Sequence, residues 1–140
     1  MSTIGHYAIR KLVTASTGTS VCDVAATMNG HNIGAVIVTR DGEIIGMITE
    51  RCICRQIVGM KMSADTVIDD LVEQVPRMSP ATSVQDAVET MRRSGSRYIF
   101  VTNPDGRTDG VVSMQDLIRA LSELCQAEAE ALRKYVSGET

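Results

Sequence analysis

The chain repeats itself, and that feature restricts its fold more than any single motif. Thr19 to Thr39 (TSVCDVAATMNGHNIGAVIVT) and Thr82 to Thr102 (TSVQDAVETMRRSGSRYIFVT) align at a constant offset of 63 residues. Thr, Ser, Val, Asp, Thr, Met, Val and Thr coincide. One extra residue, Asn103-Pro104 against Arg40, moves the offset to 64; Asp41-Gly42 then meets Asp105-Gly106, Gly46 meets Gly110 and Arg55 meets Arg119. Turn, helix start and strand match in register, which is the signature of a tandem duplication.

Both copies predict the same elements. Ser20 with Asp23, and Ser83 with Asp86, have the spacing of a helix N-cap, whose side-chain oxygen satisfies orphan backbone N–H groups. Val21, Val24, Ala25 and Met28, and in the second copy Val84, Ala87, Val88 and Met91, fall at i, i+3, i+4, i+7, so each helix buries one face. Asn29-Gly30 and Ser94-Gly95 mark the helix ends, and the β-branched runs AVIVT and YIFVT predict strands. Asp41-Gly42 and Asp105-Gly106 signal hairpin turns into second strands over Ile44 to Ile48 and Gly110 to Val112. A second helix starts near Thr49 or Ser113, and LVTAS and VPRMS supply short extended lead-ins. The fold class is therefore α+β, built from two tandem βαββα repeats. The repeat places copy one, with its N-terminal lead-in, over 1–62, copy two over 63–122 and a C-terminal helical extension over 123–140.

Composition narrows the function classes. At 140 residues the chain is long enough to bury a core without staples. No run of about 18 apolar residues predicts a membrane span. The start, MSTIGHYAIRKLV, lacks the pattern of a secretory signal, so a cytoplasmic location is expected, with Cys22, Cys52, Cys54 and Cys125 as reduced thiols. The net charge of −3, with no basic block and only 3% aromatic residues, disfavours nucleic acid as the main partner. No local signature of a nucleophile triad, no G-x-x-x-x-G-K-[ST] and no H-E-x-x-H is present, so a binding module is favoured over an enzyme.

The two T-S-V-x-D segments and the two Gly-apolar-apolar-[Ser/Thr] segments, GMITERC and GVVSMQD, in a duplicated frame resemble the cystathionine-β-synthase-type (CBS) domain over about Leu12 to Leu121. The resemblance implies a pair with pseudo-twofold symmetry that dimerises and takes an adenine nucleotide in clefts between the copies. AMP, ADP or ATP is the expected ligand, with NAD(H) and S-adenosylmethionine as further candidates. With no effector domain beside the pair, a ligand signal is expected to pass through a homodimer or an unidentified protein target. The alternative is a structural dimerisation or adaptor module without a physiological ligand.

By the same resemblance, the hydroxyl of Ser113 contacts phosphate, the carboxylate of Asp116 holds ribose hydroxyls, and Arg97 is a basic phosphate contact. A helix N-terminus there favours an anion, and a guanidinium fork suits phosphate oxygens. Met78, Tyr98 and Ile99 are candidates to enclose the base. In the first copy Thr49 and Arg51 remain, but Gly34 stands opposite Arg97 and Cys52 opposite Asp116. A thiol is a poor acceptor for two hydroxyls, so the cleft at Cys52 is expected to bind weakly, differently or not at all.

Each residue also has a plainer role. Ser113 and Asp116 have the spacing of a capping motif, which can coexist with ligand contact. Arg97 and Arg51 read equally as solvated charges, and Tyr98 as a core residue with a wet hydroxyl. Cys22 and Cys125 read as small apolar fillers. Cys52 and Cys54 sit two apart on a helix, hence on different faces, and with His6 and His31 in unrelated segments no metal site is expected. Cys52 near a helix start is expected to have a lowered pKa. Beyond Asp116 a helical pattern runs to about Val136 through Leu117, Leu121, Leu124, Ala131 and Tyr135, interrupted by Glu128, whereas the first copy's helix stops near Gly59. The extra length is expected to meet a second subunit or another partner.

Overall fold

A computed structural model describes residues 2–138. Each repeat forms a three-stranded mixed sheet carrying helices, as the periodicity predicts. In the first, β1 (Thr14–Ser16) pairs parallel with β2 (Ala35–Arg40), which pairs antiparallel with β3 (Glu43–Thr49). α1 (Val21–His31) bridges β1 and β2, and α2 (Glu50–Cys52) follows β3 and continues as wider π-helical turns over Ile53–Val58. The second repeats this order with β4 (Arg77–Met78), α3 (Val84–Ser94), β5 (Tyr98–Thr102), β6 (Thr108–Ser113) and α4 (Met114–Ser137).

The caps fall where the Ser-x-x-Asp spacing puts them. Ser20 and Ser83 each accept the backbone N–H three residues on at 3.1 Å. α1 runs two residues past Asn29-Gly30, because Asn32 takes the left-handed conformation (φ 52°) that closes it; the short polar side chain of Asn tolerates this. Asp41 and Gly42, at φ 51° and 81°, make the first hairpin turn. The helix after β3 is short: Gly59 N–H donates to Cys54 O, and a Cβ at Gly59 would sit 2.7 Å from Arg55 O.

The repeats are sequential in the chain, but the compact units are not. One unit is Lys11–Val75; the other joins residues 1–10 to Pro76 onward. The segment Val67 to Gln74, ahead of the second repeat, completes the first unit: Ile68 is fully buried beside Val24, Val36 and Ile48, and Glu73 exchanges backbone hydrogen bonds with Met47 on β3 at 2.7 and 3.0 Å. Likewise Ile4 is fully buried beside Val84, Met91, Ile99 and Leu117, and Ile9 exchanges bonds with Val111 on β6 at 2.9 and 3.0 Å. Each repeat is finished by the lead-in of the other, and the division at 62/63 drawn from the repeat does not follow these spatial units.

This added segment explains why both motifs open on glycine. A Cβ at Gly46 would run into the carbonyl oxygen of Glu73 and lie 2.6 Å from Val72 Cγ1; at Gly110 it would lie 3.0 Å from Ala8 Cβ. Both glycines sit where the strand pair shifts register, opposite Val38 and Val101.

Candidate functional site

In the second repeat the antiparallel register sets Tyr98 opposite Ser113, and Arg97 O accepts Met114 N–H at 2.8 Å, so the start of β5 and the start of α4 meet. The Ser113 hydroxyl accepts Asp116 N–H at 3.2 Å while Asp116 Oδ2 accepts from Ser113 N–H at 3.3 Å, a reciprocal capping box. The hydroxyl also donates to Oδ2 at 2.8 Å. These intrachain bonds all fall on Oδ2, which leaves Oδ1 to accept from an incoming hydroxyl. Capping and ligand contact are thus compatible at one carboxylate.

Arg97 is exposed and Tyr98 half-buried. Met78 pairs with Val101, three residues along β5, and packs on the unit's core, so it is not brought to Ser113 by the strand register. Ile99 is fully buried in that core and points away from any ligand, which removes it from the base-enclosing set.

The first repeat builds the same corner with different groups. Gly34 O accepts Glu50 N–H at 2.9 Å, and Thr49 Oγ1 accepts Cys52 N–H at 3.1 Å. In place of an aspartate at position 52, a carboxylate arrives from the lead-in: Thr49 Oγ1 donates a long hydrogen bond, 3.4 Å, to Glu73 Oε1. Glu73 lies outside every motif copy, and only its pairing with Met47 brings it here. A cavity of about 250 Å³ is lined by Arg51, Cys52, Arg55, Gln56 and Glu73. A larger cavity, about 400 Å³, opens beside Gly34, Asn32 and Glu50, but no basic group lines it, and Glu50 Oε1 lies 2.9 Å from where a Gly34 Cβ would be.

Cys52 does not have the lowered pKa expected of a helix start. Its thiol is pushed up, first by burial and then by the negative charge of Glu73, and it donates weakly to Leu71 O at 3.5 Å. Cys22 and Cys125 are exposed, as is Cys54, so the first two are not core fillers. No cluster of three or more metal-ligating side chains occurs among the described residues, and no described helix is long and apolar enough to cross a membrane.

Comparison with known proteins agrees with this architecture. The chain is 30% identical over 145 residues to the CBS domain-containing protein CBSX3, mitochondrial, of Arabidopsis thaliana, covering 99% of this chain and 70% of that one. Among solved structures, a CBS-domain containing protein from Agrobacterium tumefaciens superposes with a TM-score of 0.73 at 29% identity, covering 79% of this chain and 84% of that one. A CBS domain protein from Pyrobaculum aerophilum complexed with AMP superposes with a TM-score of 0.74 at 22% identity, covering 82% and 89%. The family model of the CBS domain matches twice, over residues 4–59 and 68–123, each match opening on the buried isoleucine of a lead-in, Ile4 and Ile68. The chain therefore belongs to the CBS domain family and carries the domain in tandem.

Proposed function

We propose that this protein is a regulatory, non-catalytic module that binds an adenine nucleotide at the corner formed by Arg97, Tyr98, Ser113 and Asp116. The observation that carries this reading is the Asp116 carboxylate, fixed through Oδ2 by the capping box with Oδ1 left over, at the start of a 24-residue helix. That helix start offers positive dipole and free N–H groups to a phosphate, and the Arg97 guanidinium adds charge beside it. The AMP complex of the Pyrobaculum aerophilum protein supports the ligand class. Tyr98 and Met78 are assigned to the base, and Thr49 and Arg51 to the corresponding corner of the first repeat. The four free cysteines fit a reducing, cytoplasmic compartment.

A signal leaves such a module only if ligand favours one of two states of a homodimer or of a complex with a protein target. A second reading, a dimerisation or adaptor piece without ligand, is favoured by the exposed apolar side chains of α4, where Ile118, Leu132, Tyr135 and Val136 are 58, 62, 83 and 78% exposed. A thermal-shift series with AMP, ADP, ATP, NAD(H) and S-adenosylmethionine separates the two. A rise of several degrees with an adenine nucleotide supports the sensor, because a ligand that binds only the folded state stabilises it by mass action. No shift with any of them supports the adaptor.

A further inference from the structure

We propose that the cavity of the first repeat is a second nucleotide site in which both charged partners have moved to new positions. This inference rests on the nucleotide-binding reading of the second repeat. In that repeat the carboxylate is at Asp116 and the cation at Arg97. Their counterparts in the first repeat are Cys52 and Gly34, which carry neither charge.

The two losses are matched by two gains. The hydroxyl at the end of β3, Thr49, faces the carboxylate of Glu73 as Ser113 faces Asp116, at 3.4 Å against 2.8 Å. Glu73 occupies the lead-in position held in the other unit by Ile9, the residue that pairs with Val111 as Glu73 pairs with Met47. The acid has therefore moved from the helix to the added edge segment. The cation has moved the other way: Arg51 and Arg55, one helical turn apart, line the same cavity as Glu73, whereas Gln115 stands at the position of Arg51 in the second repeat. A phosphate beside Gly34 would meet the Glu50 carboxylate, so the guanidinium side of the cavity is the favourable place for it.

Arg51 and Arg55 form no ion pair with any described acidic residue, and Glu73 is held only by the long bond to Thr49. The pattern of one carboxylate for a sugar diol and two guanidinium groups for a phosphate, about a 250 Å³ cavity, fits the ribose-phosphate part of a nucleotide. The neutral Cys52 thiol lies between them and keeps a second negative charge away from the phosphate.

Calorimetry with AMP tests this on the full chain. Wild type should bind two AMP per chain with unequal affinities, and Asp116→Ala should leave one. Adding Glu73→Gln to Asp116→Ala should weaken the remaining site at least about tenfold, since a hydrogen bond to a charged acceptor is lost, and should remove its preference for AMP over 2′-deoxy-AMP. Arg51→Gln with Arg55→Gln should remove its preference for AMP over adenosine. Gln keeps the shape of Glu73 and its backbone pairing with Met47, and an unchanged melting curve confirms the fold. One AMP per chain, lost in Asp116→Ala and indifferent to Glu73→Gln, overturns the second site and leaves the first standing. Absence of AMP binding to wild type overturns both.

Discussion

The Ser113 hydroxyl donates to Asp116 Oδ2 at 2.8 Å, and one carboxylate oxygen therefore does all the capping. Asp116→Ala should weaken AMP binding by about 1.5–3 kcal/mol, the scale of a hydrogen bond to a charged group. Folding should lose about 1 kcal/mol, the cost of a missing cap partner. Calorimetry and a denaturant melt of the same variant check the two figures; unchanged affinity would remove Asp116 from the site.

Ile4 is separated from its core partners Val84, Met91 and Leu117 by some 80 residues or more of chain, yet it is fully buried among them. Ile4→Ala should cost about 2–5 kcal/mol, the range for emptying a packed aliphatic site. Hydrogen exchange should accelerate in α3 and β5 and stay slow in β2 and β3. Ile68→Ala should show the reverse distribution, because Ile68 fills the core of the first unit.

Gly46 and Gly110 hold equivalent places, but their neighbours differ. A Cβ at Gly46 meets the backbone carbonyl of Glu73, which cannot turn aside, whereas at Gly110 it meets the Ala8 side chain at 3.0 Å. Gly46→Ala should therefore destabilise by about 1–3 kcal/mol, as overpacking does, and Gly110→Ala by less. Equal midpoints for the two variants in urea would count against the close approach of Glu73.

The Cys52 thiol is raised by burial and by Glu73, so it is neutral at neutral pH, and a neutral thiol is a weak nucleophile. Iodoacetamide should label Cys22, Cys54 and Cys125 first, since these are exposed, and Cys52 last. Because the folded value is raised, the folded state favours the protonated thiol. That contribution is present at neutral pH and lost as pH rises through the raised value. Glu73→Gln should speed Cys52 labelling only in part, burial being the larger cause.

The end of α4 carries Leu132, Tyr135 and Val136 in contact with solvent. If the proposed homodimer uses this surface, Leu132→Glu with Val136→Glu should shift the particle mass in light scattering from twice 15.1 kDa to 15.1 kDa. An unchanged dimer would place the contact elsewhere on the chain.

Local and periodic features were determined by the sequence. Ser20, Ser83 and Ser113 cap helices because a hydroxyl three residues ahead of an N–H reaches it in any context, and the i, i+3, i+4, i+7 spacing of Val21, Val24 and Met28 buries one helix face whichever sheet it meets. The duplication likewise fixed two βαββα units and the CBS resemblance, both of which the structure and the family match show. What only the tertiary structure decided is which lead-in completes which unit, and hence that Glu73 faces Thr49. A strand edge accepts any extended segment through backbone groups that are the same at every residue, so no side-chain pattern announces the pairing of Glu73 with Met47. The direction of the Cys52 shift has the same origin: its position at a helix start is local, but the burial and the carboxylate that outweigh it come from a segment about twenty residues away.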